Sequence, residues 1–238
     1  MHSRIKLSAR LALSGAHLKI LPLLTLIIFS VFVFSLCNSA INTFIGAKHF
    51  SVAFSVLSLL AFAVITAPAR LRLEIKHLML AKGKFNSDSA KLGFSGTGKA
   101  LLFYSVLFCL KSFWLAAFEA VPATALWLFV AYLKENSVSV KASYVVSAAI
   151  AFLALSGFVF YLIFIQRYSK SAFYLACYKD FGIFDAIGES IRKTEGRLTD
   201  ILLFKLGFLP WILLCLGIVP MLFVIPYYKQ SLMCYFLN

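Results

Sequence analysis

Three stretches of this chain, 20–45, 50–67 and 144–165, contain no charged side chain, and two more, 101–133 and 201–225, contain only Lys111, Glu119 and Lys205. About 20 consecutive apolar residues cross the hydrocarbon core of a bilayer as a helix. With no water there to bond a bare peptide group, such segments are confined to helices or a closed barrel. These runs are continuous rather than alternating, which selects helices. Over the whole chain 62% of residues are hydrophobic and 13% charged, against roughly 45–50% and about 25% in soluble domains. The expected fold is therefore all-α: one integral membrane domain over 1–238, a polytopic transmembrane helix bundle with about five spans and short interfacial helices. The run at 20–45 is long for a signal peptide and Asn38-Ser39-Ala40 is a poor cleavage site, so it counts as a span. The run at 101–133 exceeds one untilted crossing.

The chain's 23 Lys and Arg residues sort unevenly about these boundaries. Seventeen fall at the N-terminus or in the loops 69–99 and 167–199, and four (Lys48, Lys134, Lys141, Lys229) fall on the other side. Short cytoplasmic loops carry the excess of Lys and Arg. The expected placement is a multi-pass plasma-membrane protein with a cytoplasmic N-terminus and an extracytoplasmic C-terminus. The net charge of +14 then reports topology and anionic lipid, not nucleic acid.

The inner loops have structure of their own. Pro68 is expected to end the second span. Beyond it Leu71, Ile75, Leu78 and Met79 recur at helical spacing, with Arg72, Lys76 and Lys82 between or beyond them. Two readings fit: a helix lying on the inner leaflet, with Arg70, Arg72, Lys76 and Lys82 against anionic headgroups, or a cytoplasmic continuation of the second span. The Gly- and Ser-rich stretch 83–98 reads as a loop. Within 167–199 a short helix, a break near Gly182 and a second helix capped by Asp185 are expected.

Enzyme signatures are missing, and no catalytic residue, cofactor or metal is expected. Gly93 to Lys99 fits the spacing of a phosphate loop, but Ala100 follows where a hydroxyl is needed and no buried strand precedes it. The four histidines, His2, His17, His49 and His77, have no metal-ligand spacing. The five cysteines form no C-x-x-C pair and read as small apolar residues. The acidic residues of 180–200 alternate with Lys and Arg, as on a solvated helix.

Glu119 is the most informative residue, because a carboxylate in hydrocarbon costs roughly 2.5–3.5 kcal/mol on insertion scales and needs a partner or water. Lys111, eight residues away, is poorly placed. Lys205 reaches a similar depth, so a Glu119–Lys205 interhelical pair is expected. Trp114, Tyr227, Tyr228 and Tyr235 are expected as interface anchors. Pro122, Pro210, Pro220 and Pro226 would kink the third and fifth spans. Ser143, Ser147 and Ala151 form a small-residue ridge for close helix contact, within the monomer or as a homodimer seam.

Tyr168-Ser169 after an apolar run, Ala186-Ile187, Ser190 and Gly196, then Phe208, Trp211, Leu214, Gly217-Ile218, Pro226-Tyr227, Ser231 and Tyr235-Phe236 carry a resemblance. Over about 70 residues the C-terminal third resembles the domain of unknown function 975 family of bacterial integral membrane proteins. The resemblance implies a multi-pass bacterial membrane protein and no reaction. The functional expectation is a non-enzymatic structural, assembly or regulatory component. Its partners would be the lipid bilayer, anionic lipid headgroups, and a second copy or another membrane protein. The alternative is a transporter or channel subunit using kinked helices around Glu119.

Overall fold

A computed structural model describes residues 2–44, 48–83, 94–135, 140–178, 181–214 and 218–237, and every regular element among them is helical. In chain order these are α1 (His2–Ser14), α2 (His17–Phe44), α3 (Lys48–Ala81), α4 (Phe94–Glu135) and α5 (Val140–Phe164). After a 3₁₀ turn at Ile165–Tyr168 come α6 (Ser171–Cys177), α7 (Ile183–Thr194), α8 (Leu198–Leu206), α9 (Leu209–Leu213) and α10 (Ile218–Leu237).

The protein divides into long hairpins and a packed base. The helices α2 and α3 form one hairpin, and α4 and α5 another. Their far portions present Phe108, Trp127, Phe152 and Phe160 outward, each more than 60% exposed. Three stretches, His17–Cys37, Gly96–Leu133 and Ser143–Cys177, are long and apolar enough to cross a membrane. In each the most apolar window is 11% buried or less, so these apolar side chains are not covered by protein, as lipid-facing helices require. The small-residue contact between α4 and α5 is made at Gly157, where an added Cβ would sit 3.0 Å from the Phe118 carbonyl oxygen. Ser147 and Ala151 of the expected ridge stay exposed instead.

The base is built as a soluble core is. Ile5, Ala9 and Leu13 line the buried face of α1 at four-residue spacing, while Arg4, Leu7 and Arg10 face out. That face packs with Leu78 of α3, Phe173 of α6, Ile201 and Phe204 of α8, and the run 232–236 of α10. A second cluster joins Leu71, Ala100, Phe103 and Leu107 to Ala186 and Ile187 of α7. The break at Gly182 is present: its N–H donates to the Asp185 carboxylate at 2.9 Å, and α7 begins at Ile183, two residues before Asp185. Gly196 ends the helix with φ +74°, a left-handed conformation that glycine adopts without strain.

The structure departs from the sequence reading at three places. Pro68 does not end α3, which continues to Ala81. Ala67, Ala69, Leu71, Leu73 and Leu78 around and beyond it are buried, and this packing outweighs one lost backbone hydrogen bond. The continuation is thus a core helix, continuous with the rest of α3. The expected fifth span, 201–225, is not one helix. It breaks at Gly207-Phe208, resumes with Pro210 in the first turn of α9, and turns back on itself into α10. Phe208 packs on Tyr227 and Tyr228 with centroids 5.6 and 5.3 Å apart, and Phe204 stacks on Tyr235 at 4.4 Å, so the two arms run antiparallel. The last turns of α10 therefore lie against α1. The third departure is at α4, which already begins at Phe94, so Gly96 to Lys99 are helical and form no phosphate loop. Most of the expected 83–98 loop, with Gly93, lies outside the described residues.

Candidate functional site

The face of α3 toward α10 carries Arg70, Glu74 and His77, at i, i+4 and i+7, between apolar neighbours. Glu74 is 6% exposed, and a carboxylate so buried needs a charged or hydrogen-bonded partner. It has one in Lys229 of α10, with which it forms an ion pair. One turn on, His77 and Gln230, both fully buried, meet at 2.8 Å. With its amide nitrogen toward the ring, Gln230 donates to His77 Nδ1 and to the His77 carbonyl oxygen (3.2 Å), while its own oxygen accepts from the Ala81 N–H (3.3 Å). The imidazole proton is then on Nε2, which has no partner. Burial pushes the His77 pKa down to about 4, so the ring is neutral at pH 7.

Beside this seam lies a cavity of about 990 Å³, at the upper end of the range for small-molecule sites. Its polar part is formed by Arg70 and Glu74 of α3, Tyr104 and Lys111 of α4, Ser169, Lys205 of α8, and Tyr228 and Lys229 of α10. Most of the rest is apolar, with Leu24, Ile28, Val31 and Phe32 of α2 and Met221, Leu222 and Ile225 of α10, while Thr25 and Ser35 of α2 and Ser171 of α6 also line it. Four cations on four helices thus share the space with a single carboxylate, a formal excess of three positive charges. Lys205 is held by Gln166 Oε1 at 2.7 Å and by Ser169 Oγ. Gln166 is itself fixed by its Nε2 donating to the Leu162 carbonyl at 2.7 Å. Nearby, Trp114 Nε1 donates to Tyr168 Oη at 2.9 Å. Such an arrangement can hold an anion by charge and hydrogen bonds.

Glu119 and Lys205 do not meet. Glu119 is half-buried, its Oε1 has no hydrogen-bond partner, and it lies by Gly157, 3.5 Å from where a Cβ there would stand. The Lys205 ammonium is at Gln166, nine residues further along the chain from Gly157, roughly 13 Å at 1.5 Å per helical residue. The ion pair expected from depth alone fails because Gln166 and Ser169 present oxygens to Lys205 first. Trp114 is half-buried, its ring 4.2 Å from that of Phe164. Tyr227 and Tyr228 pack on Phe208, and Tyr235 on Phe204, in the base.

Of the residues expected against anionic headgroups, only Arg70 lines the cavity. Lys76 donates to the Lys19 carbonyl at 2.9 Å, and Lys82 to Cys177 Sγ at 3.8 Å. Arg72 is half-buried. Sequence reasoning missed Glu74, Tyr104 and the His77–Gln230 contact. Polar residues at helical spacing in the otherwise apolar helix α3 were the available signal. No known protein family, curated protein or solved structure matches the chain.

Proposed function

We propose that this is a non-enzymatic, multi-pass plasma-membrane protein that binds an anion in the cavity between α2, α3, α4, α8 and α10, as a structural, assembly or regulatory component. The observation that carries the reading is the convergence of Arg70, Lys111, Lys205 and Lys229 on one space with Glu74 as the sole carboxylate. Chains rarely gather like charges in a partly apolar enclosure unless a counter-charge enters it. Glu119 is not among the lining residues, so a transport route centred on it has no support from this cavity.

In this reading α2, α3, α4 and α5 cross the bilayer, and the base with α1, α6–α8 and α10 faces the cytoplasm. Four crossings leave only Lys48, Lys134 and Lys141 of the 23 basic residues on the far side, a sharper asymmetry than five crossings give. The packing of α10 on α1 supports the same arrangement, with both ends of the chain on the cytoplasmic side.

The test is a titration of the protein, purified in non-ionic detergent, with inorganic pyrophosphate while thermal unfolding is followed. The expected result is a saturable rise in Tm, lost in Lys111→Gln and Lys205→Gln but kept in Lys193→Gln on the exposed face of α7. A rise shared equally by all three variants, or none in the unsubstituted protein, would contradict the reading.

A further inference from the structure

We infer that the anion is the phosphate headgroup of a phospholipid from the cytoplasmic leaflet, drawn into the cavity with an acyl chain along α2. This rests on the anion-binding reading above and adds the class of ligand.

The cavity lining is divided by polarity. A site for a free anion needs polar groups around its whole wall, because water left against an apolar surface is unfavourable. Here the charged groups come from α3, α4, α8 and α10, whereas the α2 wall is mostly hydrocarbon, Leu24, Ile28, Val31 and Phe32 with only Thr25 and Ser35 between or beyond them, and Met221 and Ile225 of α10 add to it. The lining of α2 extends from Leu24 to Ser35, a separation of eleven residues or roughly 16 Å of helix. That is about half of the ~30 Å hydrocarbon core, the depth of one leaflet. Leu24 is buried, but Phe29 and Phe32 further along the same wall line the cavity and remain 67% and 59% exposed, so that part of the wall is open on its outer side. In the four-crossing arrangement proposed above, the four cations that line the same space belong to the cytoplasmic side, the side on which headgroups of the near leaflet lie.

Charge decides the headgroup. Three net positive charges favour a phosphate carrying no compensating ammonium over a zwitterion. Lys111, Lys205 and Lys229 supply ammonium donors, Arg70 a planar fork suited to two phosphate oxygens, and Tyr104 and Tyr228 hydroxyl donors. Glu74 sits against Lys229 and repels a second anion, which limits the cavity to one headgroup. Because the acyl chain passes from one apolar medium to another, discrimination between lipids falls on the headgroup.

The test is native mass spectrometry of the detergent-solubilised full chain with dioleoyl phosphatidate, dioleoyl phosphatidylcholine and the water-soluble headgroup glycerol 3-phosphate. The inference predicts one retained phosphatidate, with phosphatidylcholine at least about tenfold weaker and glycerol 3-phosphate unable to displace the lipid at equal concentration. Lys111→Gln or Lys205→Gln should each weaken phosphatidate by about tenfold. Should either variant fold poorly, Arg70→Gln, at an exposed side chain, carries the same expectation. Equal retention of the two lipids, or retention untouched by these variants, would mean a surface lipid and overturn the inference. If pyrophosphate raises Tm and glycerol 3-phosphate competes on equal terms with phosphatidate, the cavity takes a soluble anion and only the lipid assignment falls. If neither pyrophosphate nor phosphatidate binds, both readings fall.

Discussion

Glu74 on α3 and Lys229 on α10, 155 residues apart in the chain, form an ion pair at the edge of the cavity. The next turn of each helix repeats the link through His77 and Gln230. Two polar contacts in register fix how α10 lies on α3, and with it the position of the cavity floor.

The two halves of the ion pair should respond differently to removal. Lys229→Gln removes the cation in direct contact with the buried Glu74 and should cost about 3 kcal/mol. Glu74→Gln leaves Lys229, whose side chain is 31% exposed, within reach of water and should cost about 1 kcal/mol. The same Glu74→Gln change removes the one negative charge in the cavity, so pyrophosphate affinity should rise by about tenfold. Denaturant or thermal unfolding with isothermal titration checks both. Equal destabilisation by the two variants, or weaker anion binding in Glu74→Gln, would contradict the assignment.

Stability should depend on pH through His77. Its folded pKa of about 4 lies below the ordinary value of 6.5. Between those values the unfolded chain binds more protons than the folded one. Stability is therefore fully present above about pH 6.5 and declines as pH falls towards 4, by up to about 1.4 kcal/mol per pH unit. Unfolding in detergent at stepped pH should show this slope, and His77→Gln should flatten it. A wild-type profile no steeper than the variant's between pH 6.5 and 4 would show that the ring is not held neutral.

Close contact of α4 and α5 depends on Gly157. A Cβ there meets the Phe118 carbonyl oxygen at 3.0 Å, and backbone cannot swing aside as a side chain does. For Gly157→Ala the gain in helix propensity, about 1 kcal/mol, offsets much of the crowding. Gly157→Leu has no such compensation and should destabilise by about 1–3 kcal/mol. Ala151→Leu, at an exposed position one and a half turns earlier, should be nearly neutral. Comparable losses from both leucines would place the helix contact elsewhere.

The long helices were legible because long apolar runs report them directly: α2, α4 and α5 cover 20–44, 101–133 and 144–164 of the expected spans, and the break at Gly182 followed from local residue chemistry. Long-range packing was less so. Pro68 reads as a stop, yet buried alanines and leucines on both sides hold α3 together. The apolar segment around Trp211 reads as a span, yet Gly207 and Pro210 break it, and only the contacts of Phe204 and Phe208 with tyrosines of α10 reveal the reversal. The Glu119–Lys205 pairing assumed that depth alone selects partners, and it failed because Lys205 found Gln166 and Ser169. The cavity could not be read at all, since its cations come from four separate helices.

The account depends on the base, with both ends of the chain, lying on one side of the membrane. Epitope tags placed before Met1 and after Asn238, followed by protease treatment of sealed vesicles of each orientation, test this directly. The account predicts both tags protected in right-side-out vesicles and both cleaved in inside-out ones. Cleavage of the tag after Asn238 in right-side-out vesicles, with the other protected, would mean an odd number of crossings and contradict it.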